Sequence, residues 1–288
     1  MKRLVVQHPQ LTDEAVQAFT DLLGSRPDRH WAGGADWRAV DPEPEALSSL
    51  AERQGVDAAL VMPGKRLVDF GLLAFDMDST LINIECIDEM ADLAGQGPAV
   101  ARITEAAMRG EIPDFAESLR RRLALLAGAP VGLLARVYDE RLRPNAGADR
   151  LINAANDAGL RLLLVSGGFT FFTERLQQRF GFDVAVANEL EIHEGVLTGH
   201  VIGPIIDARA KRDHLLATCA QFDLPPERAI VIGDGANDLQ MLAEAGLSVA
   251  YHAKPIVRSR TRQSISHCGL DAILNLFADT APITPSAP

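Results

Sequence analysis

The sequence is poor in aromatic residues, cysteine and positive charge, and it has no long apolar run. Aromatics make up 5% of the 288 residues while 47% are hydrophobic, so aliphatic side chains must fill most of a sizeable core. The three cysteines, Cys86, Cys219 and Cys268, are odd in number and widely spaced. That excludes a disulfide framework and any metal or redox spacing, and fits a reduced compartment. Lys and Arg number 28 against 39 Asp and Glu, a formal net charge of −11. Such a balance argues against nucleic-acid or anionic-membrane partners, and an anionic substrate would need a local positive site. No stretch approaches the roughly 18 apolar residues of a membrane span. The N-terminus turns acidic too early for a secretory signal, so a cytoplasmic location is expected.

What is present is an alternation of strand-like and helical segments. Residues 1–70 read as a small α/β domain: a short strand at Leu4–Gln7, a helix from Thr12 to Gly24, a second helix from Glu45 to Gln54, and a strand at Ala58–Met62. From residue 71 apolar runs end in small or acidic residues, at 71–76, 160–166, 183–187, 228–233 and 247–251. Runs of this kind, alternating with helices, predict a doubly wound parallel sheet whose functional residues lie beyond the carboxyl ends of the strands. Residues 84–145 carry helical patterns without a strand, more than one crossover needs, and read as an inserted helical cap. Glu189–Gly199 reads as a hairpin turning at Glu194-Gly195. Residues 71–280 thus form the catalytic unit, and the Pro-rich tail 281–288 is expected to be disordered.

Four clusters fall at strand ends or at a helix start. Asp76 and Asp78 close the run Gly71–Phe75; in an extended strand they would share one face. Ser166-Gly167-Gly168 ends a second strand with a hydroxyl and free N–H groups, a phosphate cradle or simply a tight turn. Lys211 sits near a helix start, where its charge opposes the macrodipole, although a lone lysine is usually solvated. Gly233-Asp234-Gly235-Ala236-Asn237-Asp238 again ends a buried strand in acid. Together they supply a nucleophilic carboxylate, an acid/base, phosphate donors, a cation and further carboxylates, as phosphoryl transfer requires. Carboxylates with few imidazoles suit Mg²⁺.

These four clusters resemble the motifs of the haloacid dehalogenase (HAD) superfamily. Asp76–Glu85, Ile87-Asp88-Glu89, Met108-Arg109-Gly110, Phe115–Arg122 and Val165–Phe169 resemble its phosphoserine phosphatase branch, over roughly residues 71–278. The resemblance implies a HAD-like Rossmannoid core in which Asp76 is the nucleophile and Asp78 the acid/base. It implies Mg²⁺ held by Asp76, the Asp78 carbonyl and Asp234, with Asp238 in support. Ser166, Gly167 and Lys211 would bind the phosphoryl group, with Asn237 nearby. Glu85 would take the substrate ammonium, Arg122 its carboxylate, and Phe115 would close over it. Without the resemblance, Glu85 is a helix N-terminal acid, Arg122 part of a solvated arginine run, and Phe115 a core residue.

The expected function is Mg²⁺-dependent hydrolysis of O-phospho-L-serine in serine biosynthesis. The alternatives are a phosphotransferase with an acceptor such as homoserine, a phosphatase for another small phosphomonoester such as phosphohomoserine, and an idle binding module. Intact Asp76, Asp78, Lys211 and Asp234 oppose the last. A dehalogenase has no use for Asp78 or the metal. The partner is a small-molecule substrate, and a homodimer is compatible with the sequence. Longer relatives carry ligand-binding modules of the ACT type at the N-terminus; residues 1–70 match one in length but show only part of its βαββαβ pattern.

Overall fold

A computed structural model describes residues 1–288. The N-terminal domain runs β1 (Lys2–Gln7), α1 (Asp13–Leu23), β2 (Arg29–Trp31), β3 (Gly34–Val40), α2 (Pro44–Gln54) and β4 (Asp57–Val61). The sheet order is β2-β3-β1-β4 with antiparallel neighbours, so the βαββαβ pattern is complete. The hairpin β2–β3 supplies the part that the sequence reading left out. Thr12 caps α1 by accepting from Ala15 N, and Gly24 ends it in the left-handed region. The buried face of α1, Ala15, Val16 and Phe19, packs with Leu4, Val6 and Trp37 in a separate core.

The second unit continues with β5 (Leu72–Phe75), α3 (Cys86–Leu93), α4 (Gly97–Met108), α5 (Phe115–Ala124), α6 (Gly132–Arg136), α7 (Ala148–Asp157), β6 (Arg161–Phe169), α8 (Thr170–Phe180), β7 (Val184–His193) and β8 (Val196–Ile202). Then come α9 (Ala208–Gln221), β9 (Ala229–Gly233), α10 (Leu239–Glu244), β10 (Leu247–Tyr251), α11 (Pro255–Arg258) and β11 (Gln263–Ile265). The seven strands lie in the order β11-β10-β9-β5-β6-β7-β8, parallel except for β7–β8. No helix is long and apolar enough to cross a membrane.

β5 is central and buried on both faces. Leu73 and Phe75 join one core, Leu72 and Ala74 the other, which is why this strand reads as an unbroken apolar run. Four helices, α3 to α6, lie in an excursion pinned at its neck: Ile82 bridges Pro144, Asn83 N donates to Arg143 O (3.0 Å), and Asn145 N donates to Leu81 O (2.9 Å). The β7–β8 hairpin joins this cap, since Gly128 N donates to Leu197 O (2.8 Å) and Leu197 N to Ala129 O (2.9 Å). Its turn at Glu194-Gly195 has positive φ at both residues, 48° and 80°.

The tail corrects one expectation. Residues 281–288 are not loose: Trp31 Nε1 donates to Ile283 O (2.9 Å), Thr284 Oγ1 to Ala32 O (2.7 Å), and Ser286 N to Asp271 Oδ1 (2.9 Å). Prolines restrict the unfolded chain and lower the cost of ordering it, and its partners are remote in sequence. The tail thereby ties the N-terminal sheet to the second unit. Val5, Ala59 and Val61 belong to the same core as β5, and Arg3 donates to Asn275 O (2.7 Å) and Phe277 O (3.3 Å).

Candidate active site

Asp76 follows β5 directly, 5% exposed, and its Oδ1 accepts from Met77 N (2.7 Å) and from Lys211 Nζ (2.7 Å). The pairing of Asp76 with Asp78 does not come from strand alternation. The chain leaves β5 into a wide turn in which Leu81 N donates to Asp76 O (3.3 Å) and Ile82 N to Met77 O (3.0 Å), with Ser79 at φ 55°. Asn145 Nδ2 clamps this turn through the carbonyls of Thr80 (2.8 Å) and Ile82 (3.1 Å). Asp78 is thereby turned toward the cap, where its Oδ1 accepts from Cys86 N (3.1 Å). Its Oδ2 lies so near Gly168 that a Cβ there would stand 2.8 Å away.

Lys211, 1% exposed on α9, bridges Asp76 Oδ1 and Asp238 Oδ1, each at 2.7 Å. Asp238 is wholly buried, and its Oδ2 accepts from Asp234 N (3.2 Å) and Gly235 N (3.0 Å), so it shapes the loop after β9. Asp234 Oδ1 accepts from Thr80 Oγ1 (3.0 Å). Carboxylate oxygens of Asp76, Asp234 and Asp238 lie within 4.8 Å of one another. Three anions around one ammonium leave a surplus of negative charge. Burial, with Asp238 adding repulsion, pushes Asp234 up to about 7; burial, then Glu85, does the same to Asp78. Asp76 is raised by burial and by Asp238 against the pull of Lys211. Burial alone would lower Lys211, but Asp238 and Asp76 outweigh it and hold the ammonium charged.

In the last residues of β6, Ser166 Oγ accepts from Gly168 N (2.8 Å), leaving its own proton to donate. Asn188, 2% exposed on β7, braces this strand end: its Nδ2 donates to Gly167 O (2.8 Å) and its Oδ1 accepts from Ile206 N (2.8 Å). From the cap, the Phe115 ring closes on Gly167, where a Cβ would stand 2.7 Å from Phe115 Cζ. Glu85, the N-cap residue of α3, accepts from Ser79 Oγ (2.7 Å). Arg122 is not part of a solvated face: at 8% exposure it is buried, unlike Arg120 and Arg121, and its guanidinium feels Asp88, Glu85 and Asp78. Asn237 is half-buried in the Asp234 loop.

The structure thus brings Asp76, Lys211, Asp234 and Asp238 together, with Ser166-Gly167 and Asp78 along the same strand ends and Glu85, Arg122 and Phe115 above. Sequence reasoning missed three supporting residues. Thr80 lay within the quoted motif, and a polar side chain one step from a buried acid was the available signal. Asn145 and Asn188 had none, because their partners are backbone groups on other elements.

The haloacid dehalogenase-like hydrolase family model matches residues 73–243. A curated phosphoserine phosphatase of Polaromonas sp. is 55% identical over 226 residues, covering 77% of this chain and 96% of that protein. The crystal structure of a probable phosphoserine phosphatase from Vibrio cholerae, unliganded, superposes with TM-score 0.82 at 34% identity, covering 96% of this chain and 86% of that one. A substrate-bound phosphoserine phosphatase structure aligns with TM-score 0.67 at 36% identity, covering 72% of this chain and 97% of its own. On its matched core and on these relatives, the chain belongs to the haloacid dehalogenase-like hydrolase family.

Proposed function

We propose that this protein hydrolyses O-phospho-L-serine to L-serine and phosphate through an aspartyl-phosphate on Asp76, as the last step of serine synthesis from a phosphorylated precursor in the cytoplasm. The observation that carries the reading is Asp76 itself. It is a buried carboxylate with Oδ1 fixed by Lys211 and the Met77 amide, which leaves Oδ2 free to attack phosphorus.

The steps follow from the residues' states. Asp78, with its pKa near neutrality, holds a proton for part of the time at pH 7. As Asp76 Oδ2 bonds to phosphorus and the P–O(seryl) bond breaks, that proton passes to the seryl oxygen. Water then attacks the aspartyl-phosphate, its proton returns to Asp78, and the Asp76 carboxylate is restored as phosphate leaves. Ser166 Oγ–H, the Gly167 amide and the free N–H of Lys211 are the donors for phosphoryl oxygens. Arg122 grips the substrate carboxylate and Glu85 its ammonium, with Phe115 covering them.

The donor set fits Mg²⁺: oxygen ligands only, three carboxylates around one cation, and acids whose raised pKa values mark a site short of positive charge. Asp76, Asp234 and the Asp78 carbonyl would hold the ion, with Asp238 behind them. Bound there, Mg²⁺ supplies charge neutralisation at the phosphoryl group. The Polaromonas relative and the substrate-bound structure support the substrate assignment, and three free buried thiols accord with the location.

The reading is tested by phosphate release from a panel of small phosphomonoesters with Mg²⁺ and then EDTA. Phosphoserine should lead the panel, with no transfer to added homoserine and no activity in EDTA. Equal turnover of all members, or full activity in EDTA, would contradict it.

A further inference from the structure

The cap holds a half-buried acid, one of its carboxylate oxygens fully enclosed, that the mechanism does not use. Asp88 lies in the first turn of α3, three residues after Glu85. An acid at that place ordinarily serves the free N–H groups of the helix start. Asp88 does not: its Oδ1 is fully buried and has no hydrogen-bond partner. Arg122, on α5, is equally short of partners. Its one hydrogen bond runs from Nε to Ser118 O on its own helix, at 3.4 Å.

The two groups carry opposite charge, yet no direct ion pair within 4.0 Å joins them. Arg122 draws on the charge of Asp88, Asp88 is the foremost charge acting on Arg122, and Asp88 and Glu85 repel each other. A buried carboxylate oxygen without a hydrogen bond is costly. A carboxylate held this way acts through its field, which its partly enclosed surroundings screen less than bulk water does. Glu85 faces the same space from the start of the same helix, so the cap sets two negative side chains against the single charge of Arg122.

We propose that Asp88 is a specificity residue for the substrate's ammonium group. With Glu85 it makes the cap pocket anionic overall, so a carboxylate is welcome beside Arg122 only when an ammonium accompanies it. A phosphomonoester bearing a carboxylate alone meets Arg122 but also the uncompensated charges of Asp88 and Glu85. This inference rests on the reading in which Arg122 and Glu85 receive the amino-acid end of the substrate. It adds a residue that touches neither.

The test compares O-phospho-L-serine with its desamino analogue, 3-phosphooxypropanoate, which keeps the phosphate and carboxylate. Each kcat/KM is divided by that for p-nitrophenyl phosphate, which has neither charge, so losses of folded enzyme cancel. The wild-type enzyme should prefer phosphoserine, and Asp88→Asn should shrink that preference roughly tenfold, the scale of one partly screened charge. Arg122→Ala should instead lower both carboxylate substrates alike. If Asp88→Asn yields no soluble protein, the smaller uncharged Asp88→Ser carries the same comparison. An unchanged preference in the variant would overturn the inference. So would a parallel fall on both substrates, which makes Asp88 a mere support for Arg122. A wild-type enzyme indifferent to the ammonium would overturn the amino-acid reading itself, and Asp88's role with it.

Discussion

Two buried charge clusters in this molecule have opposite balance. Where the N-terminal sheet meets the second unit, Asp36 is fully buried and shared by two arginines, with Arg3 Nε at 3.1 Å and Arg29 Nε at 2.9 Å from its Oδ2. Arg3's remaining donors end on the carbonyls of Asn275 and Phe277. That cluster has more cation than anion, and backbone oxygens absorb the excess, with Asp36 Oδ1 alone left without a hydrogen bond. At the end of β5 the proportion is reversed: Asp76, Asp234 and Asp238 surround Lys211. There the excess is negative and the protein leaves it unabsorbed, as the raised pKa values of Asp76 and Asp234 record. A cluster closed on itself joins elements; one left open waits for a ligand of the missing sign.

The comparison breaks most sharply at Asp76. Asp76→Asn keeps the shape but removes the attacking charge, and turnover should fall on the order of 10³-fold or more while the fold survives. Phosphate release close to wild type would place the nucleophile elsewhere.

Next comes the missing cation. Chelation should abolish activity, and Mg²⁺ should raise the melting temperature of the chelated protein. The sign with pH follows from the shifts. Asp234 and Asp78 titrate at about 7 in the folded protein, above their ordinary range, so the metal-free protein loses stability as pH rises through that window. Protons and the cation compete for the same oxygens. The Mg²⁺-induced gain should therefore be larger at about pH 8 than at about pH 5.5; a gain that shrinks with rising pH would count against a carboxylate site.

Arg122→Ala sharpens the contrast within the cap. Loss of a desolvated bidentate contact is worth on the order of 2–4 kcal/mol, so phosphoserine turnover should drop roughly 30- to 1,000-fold. Activity on p-nitrophenyl phosphate should change far less. Equal losses on both would make Arg122 structural.

The smallest effect on catalysis belongs to the closed cluster. Asp36→Asn strands two arginines and should cost about 3–5 kcal/mol, or roughly 6–20 °C in melting temperature at about 2–4 °C per kcal/mol. The kcat at 25 °C should stay near wild type. A large fall in kcat without loss of stability would mean that the N-terminal domain acts on the site.

Much of this was legible in the chain, for physical reasons. The strand Leu72–Phe75 is covered on both faces, so burial writes itself as a continuous apolar run. The acids that end it and β9 stand out because buried acid needs a reason. The cap was visible as helical pattern without strands. What stayed hidden depends on partners far away in sequence. The β2–β3 hairpin mixes His30, Trp31, Asp36 and Arg38 with small residues, and its pattern makes sense only once Asp36 meets Arg3. The tail is proline-rich, which in isolation signals disorder, yet Ile283 and Ser286 find Trp31 and Asp271. Asp76 and Asp78 stand out in the sequence, but the turn that separates them rests on Asn145 from beyond the cap.

The central claim, that the open cluster exists to let Asp76 take the phosphoryl group, is tested most directly by trapping it. Enzyme with Mg²⁺ is mixed with ³²P-labelled O-phospho-L-serine, quenched in acid during the first turnover, and digested. Label should appear on the peptide containing Asp76, stable in acid and released by hydroxylamine, and should be absent in Asp76→Asn. Serine and phosphate formed at full rate with no protein-bound label would contradict the account.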